Sequence, residues 1–312
     1  MNLHIALTIL PLYTLHVGGS ELDAGWQTTL FALTSVLFRF CFGPVADQKG
    51  RRFPLLLGSF LFTTSPLFWL TFDSILGLSF GRIYHGIGVA AFLENSSSLV
   101  ADLVPRTQRG LALGLHRLMV TCALMVGPSI AAELIFLWGY EAAFMLSAAA
   151  GLCSFLFLLP VPNRTGTTMI PHFISGFGQL LAKRTIRIGL TGIVSVSLGY
   201  GAVLGFLPIH ATQLDMKTYG IWFTLFALGG LIAGPLAGSL SDKIGRMAAL
   251  VPSMMVFGMG VASIYFLPTS TAMVISSLMS GIGLTASLTV LIAWIVDESG
   301  DDLRATGLSL QE

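Results

Sequence analysis

Three charged residues, Arg39, Arg82 and Glu94, stand inside long apolar stretches of the chain. An ionised group in hydrocarbon costs several kcal/mol, roughly 2.5–3.5 even on permissive insertion scales, so each implies a partner, a snorkelling route or an aqueous cavity. Arg82 could hold a polar substrate and Glu94 could take up and release a proton. Glu94 follows Arg82 by about 18 Å along a helix and about 120° around it, so the two need not pair directly. Arg39, near Gly43, also reads as a snorkelling or interhelical lock. His85 stands one turn after Arg82, and Tyr13 and Tyr200 add polar capacity in two other apolar segments. Packing and interface anchoring are the competing readings for both tyrosines. Cys41, Cys122 and Cys153 lie in separate apolar segments, and the six histidines form no ligand cluster, so no metal site is expected.

These residues are carried by a chain of 312 residues that is 54% apolar and 10% charged, with a mean hydropathy of +0.83. Such a mix indicates a membrane protein. Charge-free windows cover 53–72, 142–163, 188–214, 218–241 and 247–296. A span needs about 20 residues, and continuous rather than alternating apolar windows favour helices over a barrel. The pattern predicts spans over 2–17, 25–44, 53–72, 75–101, 112–134, 139–160, 187–210, 218–240, 247–267 and 271–296. Nearly all basic residues fall beside one alternate set of loops, which the positive-inside rule places in the cytoplasm together with the N-terminus. No phosphate loop, nucleophile–base set or soluble domain is visible, so an enzyme is not expected. The basic residues of the central linker suit anionic headgroups better than nucleic acid.

The chain also repeats itself. Gly43, Asp47, Gly50 and Arg51 recur at one constant displacement as Gly238, Asp242, Gly245 and Arg246. Phe31 recurs as Phe226, Gly86-Ile-Gly88 as Gly281-Ile-Gly283, Asp102 as Asp297 and Arg109 as Arg304. Within Gly43–Arg52, the glycines permit close approach and a tight reversal, Asp47 presents an anion, and Arg51 and Arg52 anchor the interface. So short a loop reads as a latch or hinge. Its second copy replaces Arg52 by Met247 and is expected to be the weaker.

On this doubled motif the chain resembles the major facilitator superfamily of secondary transporters. The resemblance implies an all-α membrane protein of two bundles around a central cavity, here with about ten of the usual twelve helices. It implies an N-terminal bundle over 1–160 with a shortened first helix, a linker over 161–186 and an incomplete C-terminal bundle over 187–312. By the same resemblance Asp47 latches against an eleventh helix expected beyond this chain, and Asp242 meets the start of the fifth near Gly110 and Gly114. Arg51 supports the charge network, with Asp102 and Arg109 as structural charges at the boundary after the fourth helix. Gly81-Arg82-Ile-Tyr-His85-Gly86 resembles the pattern of a helix that lines the cavity or couples protons. Gly127-Pro128 resembles the centre of an exporter signature, but Ala131-Ala132 replaces its usual glycine pair. The implied function is export of a small organic solute, coupled to protons and without other cofactors. Uptake and a transport-inactive remnant or interaction protein stay open. The expected setting is a bacterial or archaeal plasma membrane. The sequence leaves the cargo, the coupling ion and the oligomeric state open.

Overall fold

The computed structural model describes the chain except residues 106–107, 164–172, 217–218, 268 and 311–312. Within helices it leaves some side chains undescribed, among them those of Asp47, Glu94 and Arg109 and all of 301–310. Among the described residues ten α-helices follow one another: α1 (Asn2–His16), α2 (Glu21–Lys49), α3 (Arg52–Thr71), α4 (Ile75–Leu103), α5 (Arg109–Leu158), α6 (Phe173–Ala182), α7 (Arg184–Gln213), α8 (Gly220–Ile244), α9 (Arg246–Ala262) and α10 (Ser270–Leu310). α5 bends at Gly139, where φ is 79°, into two limbs that match the two spans expected there. With α6 set aside as too short to cross, the ten expected spans are all present as helix. The linker expected over 161–186 is in part helical, since α6 and the first residues of α7 fall inside it.

Local chemistry sets the helix starts. Ser20 begins α2 with a reciprocal cap: its hydroxyl accepts from the Asp23 N–H at 3.2 Å, and its own N–H donates to Asp23 at 2.8 Å. Ser74 caps α4 by accepting from the Gly77 N–H at 3.1 Å. A second grammar is that of hydrocarbon, in which serine and threonine hydroxyls return to the carbonyl one turn back. Ser59 does so to Leu55, Thr63 to Ser59, Ser79 to Ile75 and Ser253 to Ala249.

The helices pack as two compact units, one built from Met1–Thr168 and the other chiefly from Met169–Leu207 and Ile221–Glu312. In the first, Ile5, Ile9 and Leu10 of α1 meet Trp69, Leu78, Ala131 and Phe144 in a fully buried core. In the second, Ile186 and Ile193 of α7 meet Ala233, Leu250, Val290, Leu291 and Ile295. Large apolar side chains also cover the outside, including Phe157, Leu198, Ile232 and Leu236. Such an inside-and-outside apolar distribution suits a surface that faces lipid.

Small residues let the helices approach. A Cβ added to Gly86 would lie 2.8 Å from the Phe31 carbonyl oxygen, and one added to Gly281 would collide with the carbonyl of Phe226. These are the same pair of positions in the two halves of the repeat. Close backbone approach through glycine is a principal source of helix association in lipid.

Gly86→Val should therefore lower the unfolding temperature in detergent, with a stability loss of about 1–3 kcal/mol from overpacking. Gly43, where an added Cβ meets nothing within 4 Å, should tolerate alanine with little change. Equal melting shifts for the two variants would refute this packing account.

Candidate functional site

The α2–α3 and α8–α9 turns are built alike. Gly50 has φ 91° and ψ 157°, and Gly245 has φ 93° and ψ 153°. This region is essentially open to glycine alone. The next residue in each copy reaches a carboxylate of a helix two elements on, Asp102 near the end of α4 and Asp297 within α10. Arg51 Nε lies 3.3 Å from Asp102 Oδ2, and Arg246 Nη2 lies 2.7 Å from Asp297 Oδ2. Arg246 also donates from Nη1 to Asp242 Oδ1 and to Ser241 Oγ, both at 2.6 Å. Arg52 reaches the Leu159 carbonyl, a contact that Met247 cannot make in the second copy.

The latch residues thus divide. Gly50, Gly245, Arg51, Arg52, Asp242 and Arg246 take part in the turns, and Asp102 supplies the partner of Arg51. The close approach expected of Gly43 is not seen among the described residues, and Gly238 makes only an ordinary contact with Thr289. The side chains of Asp47 and Arg109, and the surroundings expected of Asp242 at Gly110 and Gly114, lie outside the described residues.

A buried polar cluster occupies the first unit. Arg82 is 1% exposed and His85 is 0% exposed, although both are polar. The Arg82 guanidinium stands 5.6 Å from the centroid of the Phe31 ring, which also stacks on His85 at 5.4 Å. Asn2 completes the cluster from α1. Its Nδ2 donates to the Phe62 carbonyl at 2.8 Å and to the Ser147 carbonyl at 2.9 Å, and its Oδ1 lies 3.1 Å from His85 Nε2.

The reason lies four residues beyond Phe62. Pro66 has no N–H, so the Phe62 carbonyl lacks its helical donor, and Asn2 supplies one. Two backbone carbonyls fix which end of the Asn2 amide is the nitrogen. Its Oδ1 must then accept, so His85 carries its proton on Nε2 and presents a bare lone pair at Nδ1. Nδ1 of His85 and Nε and Nη1 of Arg82 have no hydrogen-bond partner among the described residues.

The remaining candidates separate from this cluster. Tyr13 donates its hydroxyl to Asp73 at 2.9 Å and packs edge-on against Phe144 at 5.1 Å. Through Phe144 and Trp69 it reaches His85 by ring contacts of 5.8 and 5.3 Å. Tyr200 belongs to the second unit, stacked on Phe226 at 5.6 Å, with Trp222 beyond at 5.2 Å. Arg39 is half-buried on α2. Glu94 lies on α4 with its side chain outside the described residues. Nearer the end of α4, an apolar recess of about 360 Å³ opens among Met1, Val100, Leu115, His116, Met119 and Val120. His116 Nε2 is held there 3.2 Å from Ser96 Oγ. Asn2 and Ser147 were absent from the sequence reading, although an asparagine in so apolar a helix was a visible signal.

Two units made from one repeated turn, in an all-helical apolar chain, narrow the family. Residues 1–312 match the Major Facilitator Superfamily along their whole length. The chain belongs to the Major Facilitator Superfamily. It is an integral, multi-pass membrane protein of a transporter family. It is similar to the uncharacterized MFS-type transporter MJ1560 of Methanocaldococcus jannaschii, 24% identical over 274 residues, with 84% of this chain and 69% of that protein covered. It is 29% identical over 276 residues to the multi-drug resistance efflux pump PmrA of Streptococcus pneumoniae, covering 80% of this chain and 66% of the pump. The chain thus spans about two thirds of the length of these relatives. Among solved structures, a bacterial homolog of the human lysosomal transporter Spinster, inward-facing and unoccupied, matches 99% of this chain and 76% of its own. That match has a TM-score of 0.79 at 18% identity. The D323A mutant of the nucleoside transporter NupG matches with a TM-score of 0.80 at 12% identity, covering 99% of this chain and 83% of its own. At these identities the structures speak for the fold.

Asn2→Ala should leave the Phe62 carbonyl and His85 Nε2–H without partners and cost about 1–3 kcal/mol. The expected reading is a lower melting temperature in detergent, against little change for Thr29→Ala, whose hydroxyl returns to the Gly25 carbonyl at an exposed position. An unchanged Asn2→Ala protein would remove Asn2 from its role as the junction of α1, α3, α4 and α5.

Proposed function

We propose that the protein moves small organic solutes out across the membrane by alternating access of its two units, driven by the proton gradient. The observation that carries this reading is the matched pair of turns, with Gly50 and Gly245 in the same backbone conformation and Arg51–Asp102 mirrored by Arg246–Asp297. Two bodies that each carry the same internal device suit a cycle in which one rocks against the other. The apolar recess beside His116 is of a size and lining that suit an organic solute. Export is favoured over uptake by relatives such as PmrA and the quinolone resistance protein NorA of Staphylococcus aureus, which is 23% identical over 205 residues. In this reading the N-terminus faces the cytoplasm, in accord with the basic loops.

Glu94 is the proposed proton carrier. Neutralising a carboxylate inside an apolar helix removes its desolvation cost and so shifts the preference between two orientations. Arg82 and His85 are the proposed fixed polar groups of the substrate route, with Tyr13 and Tyr200 as packing supports for the two units.

The test is accumulation of a panel of labelled organic solutes in everted membrane vesicles that contain this chain. Accumulation of at least one solute, abolished by an uncoupler, is the expected result. Glu94→Gln should lose gradient-driven accumulation and retain solute binding. Normal gradient-driven accumulation by Glu94→Gln would remove Glu94 from the cycle, and failure of every solute to accumulate would remove the export reading.

A further inference from the structure

Three rings of the first unit gather at the end of its helices opposite the Gly50 turn. Tyr13 and His16 stand about one turn apart at the end of α1, and Tyr140 directly follows the bend of α5 at Gly139. Ring centroids are 6.0 Å apart for Tyr13 and His16, 5.2 Å for Tyr13 and Tyr140, and 4.9 Å for His16 and Tyr140. Phe144 backs the group edge-on from the core. His16 is exposed and Tyr140 half-buried, so ring surface remains open to the outside.

Two exposed carboxylates border these rings. Asp73, in the connection from α3 to α4, accepts from the Tyr13 hydroxyl at 2.9 Å, which leaves its second oxygen without a hydrogen bond among the described residues. Glu141 follows Tyr140 in the chain, and its charge reaches Tyr13. Neither acid pairs with a cation among the described residues. The face of an aromatic ring carries negative potential, so carboxylates gathered beside ring faces repel them unless a cation is shared. An imidazole supplies that charge only in acid solution. At neutral or basic pH the cation must come from outside.

We propose that Tyr13, His16, Tyr140, Asp73 and Glu141 form a surface site for a soluble organic cation with an alkylammonium head. Such a head is weakly hydrated and makes no hydrogen bonds through its alkyl groups, which suits ring faces, while the two acids balance its charge. A metal ion fits less well, because no three His, Cys, Asp or Glu side chains come together as ligands among the described residues. A phosphocholine head is disfavoured by the same two acids, which would face its phosphate. The site is distinct from the recess beside His116, which lies toward the other end of α4, and binding to it needs no transport cycle.

The probe is labelled choline, equilibrated by dialysis with the purified full chain in maltoside detergent at pH 8. Saturable binding is expected. Unlabelled 3,3-dimethylbutan-1-ol, which has the shape of choline without its charge, should displace it about tenfold less well than choline does. Glycerophosphocholine should also compete less well than choline. Tyr140→Leu should weaken binding about two- to fivefold, whereas Tyr140→Phe, which keeps the ring, should leave it unchanged. Asp73→Asn combined with Glu141→Gln, which keeps an acceptor for Tyr13 and removes both charges, should weaken it about fivefold or more. Absence of saturable binding, equal displacement by the neutral alcohol, or unaltered affinity in Tyr140→Leu or in the double variant would each overturn the site. Stronger competition by glycerophosphocholine would overturn the choice of a soluble cation. The comparison of choline with the alcohol in the unaltered chain decides even if the variants do not fold.

Discussion

Hydrocarbon offers no hydrogen bonds, so every donor or acceptor that a helix fails to satisfy within itself must be answered by another part of the protein. Pro66 creates one such debt at the Phe62 carbonyl, and the amide of Asn2 answers it from α1. The same amide has a second donor and an acceptor to place. One goes to the Ser147 carbonyl of α5 and the other to His85 of α4. A missing N–H in α3 thereby brings four helices to one point and sets the tautomer of a buried histidine. The aromatic contacts around His85, from Phe31, Phe62 and Trp69, close this point against water. Arg82 is held one turn away, at the edge of a region already committed.

Against this background the two halves of the chain agree in some respects and differ in others. What they share is backbone and its anchors: a positive-φ glycine at each turn, an arginine that reaches an aspartate of a later helix, and a glycine pressed on a phenylalanine carbonyl. What they do not share is buried polar chemistry. Asn2, Pro66, Arg82 and His85 stand where the second half has Ser197, Val261, Ser277 and Ser280. The shared features suffice to build a bundle, since the second unit is built on them. The unshared ones form a connected set, and their contacts to one another explain why they differ together rather than one at a time.

The sequence disclosed the first class more fully than the second. Apolar windows and the constant displacement located the spans and the turns, because hydropathy and glycine placement report backbone needs directly. Arg82 and His85 were conspicuous as polar residues in oil, and Asp102 was noticed as half of a repeated pair. That Arg51 and Asp102 are each other's partners was not legible, since the distance along the chain says nothing about which helix ends meet. Tyr13 was read as cavity capacity or packing, and its hydroxyl is committed to Asp73. Asn2 escaped notice because its meaning depends on Pro66, a residue of another helix. A hydrogen-bond deficit in one element and its remedy in another leave no local pattern to read.

The position of Phe31 brings these strands together. It lies on α2, where Gly86 of α4 packs on its own carbonyl, so its ring sits at a close helix contact, and it stacks on both His85 and Arg82. A carboxylate in its place would neutralise Arg82 and consume the N–H edge. An aliphatic side chain would leave the cation with no electrostatic compensation. An aromatic ring offsets part of the burial cost, about 2 kcal/mol where the pair is desolvated, and keeps the hydrogen-bonding edge available. The counterpart ring, Phe226, stacks instead between Tyr200 and Trp222 and faces no cation among the described residues. The same ring at the same contact therefore serves packing in one unit and holds an open charge in the other, so the difference between the units lies in the partner brought to it by α4.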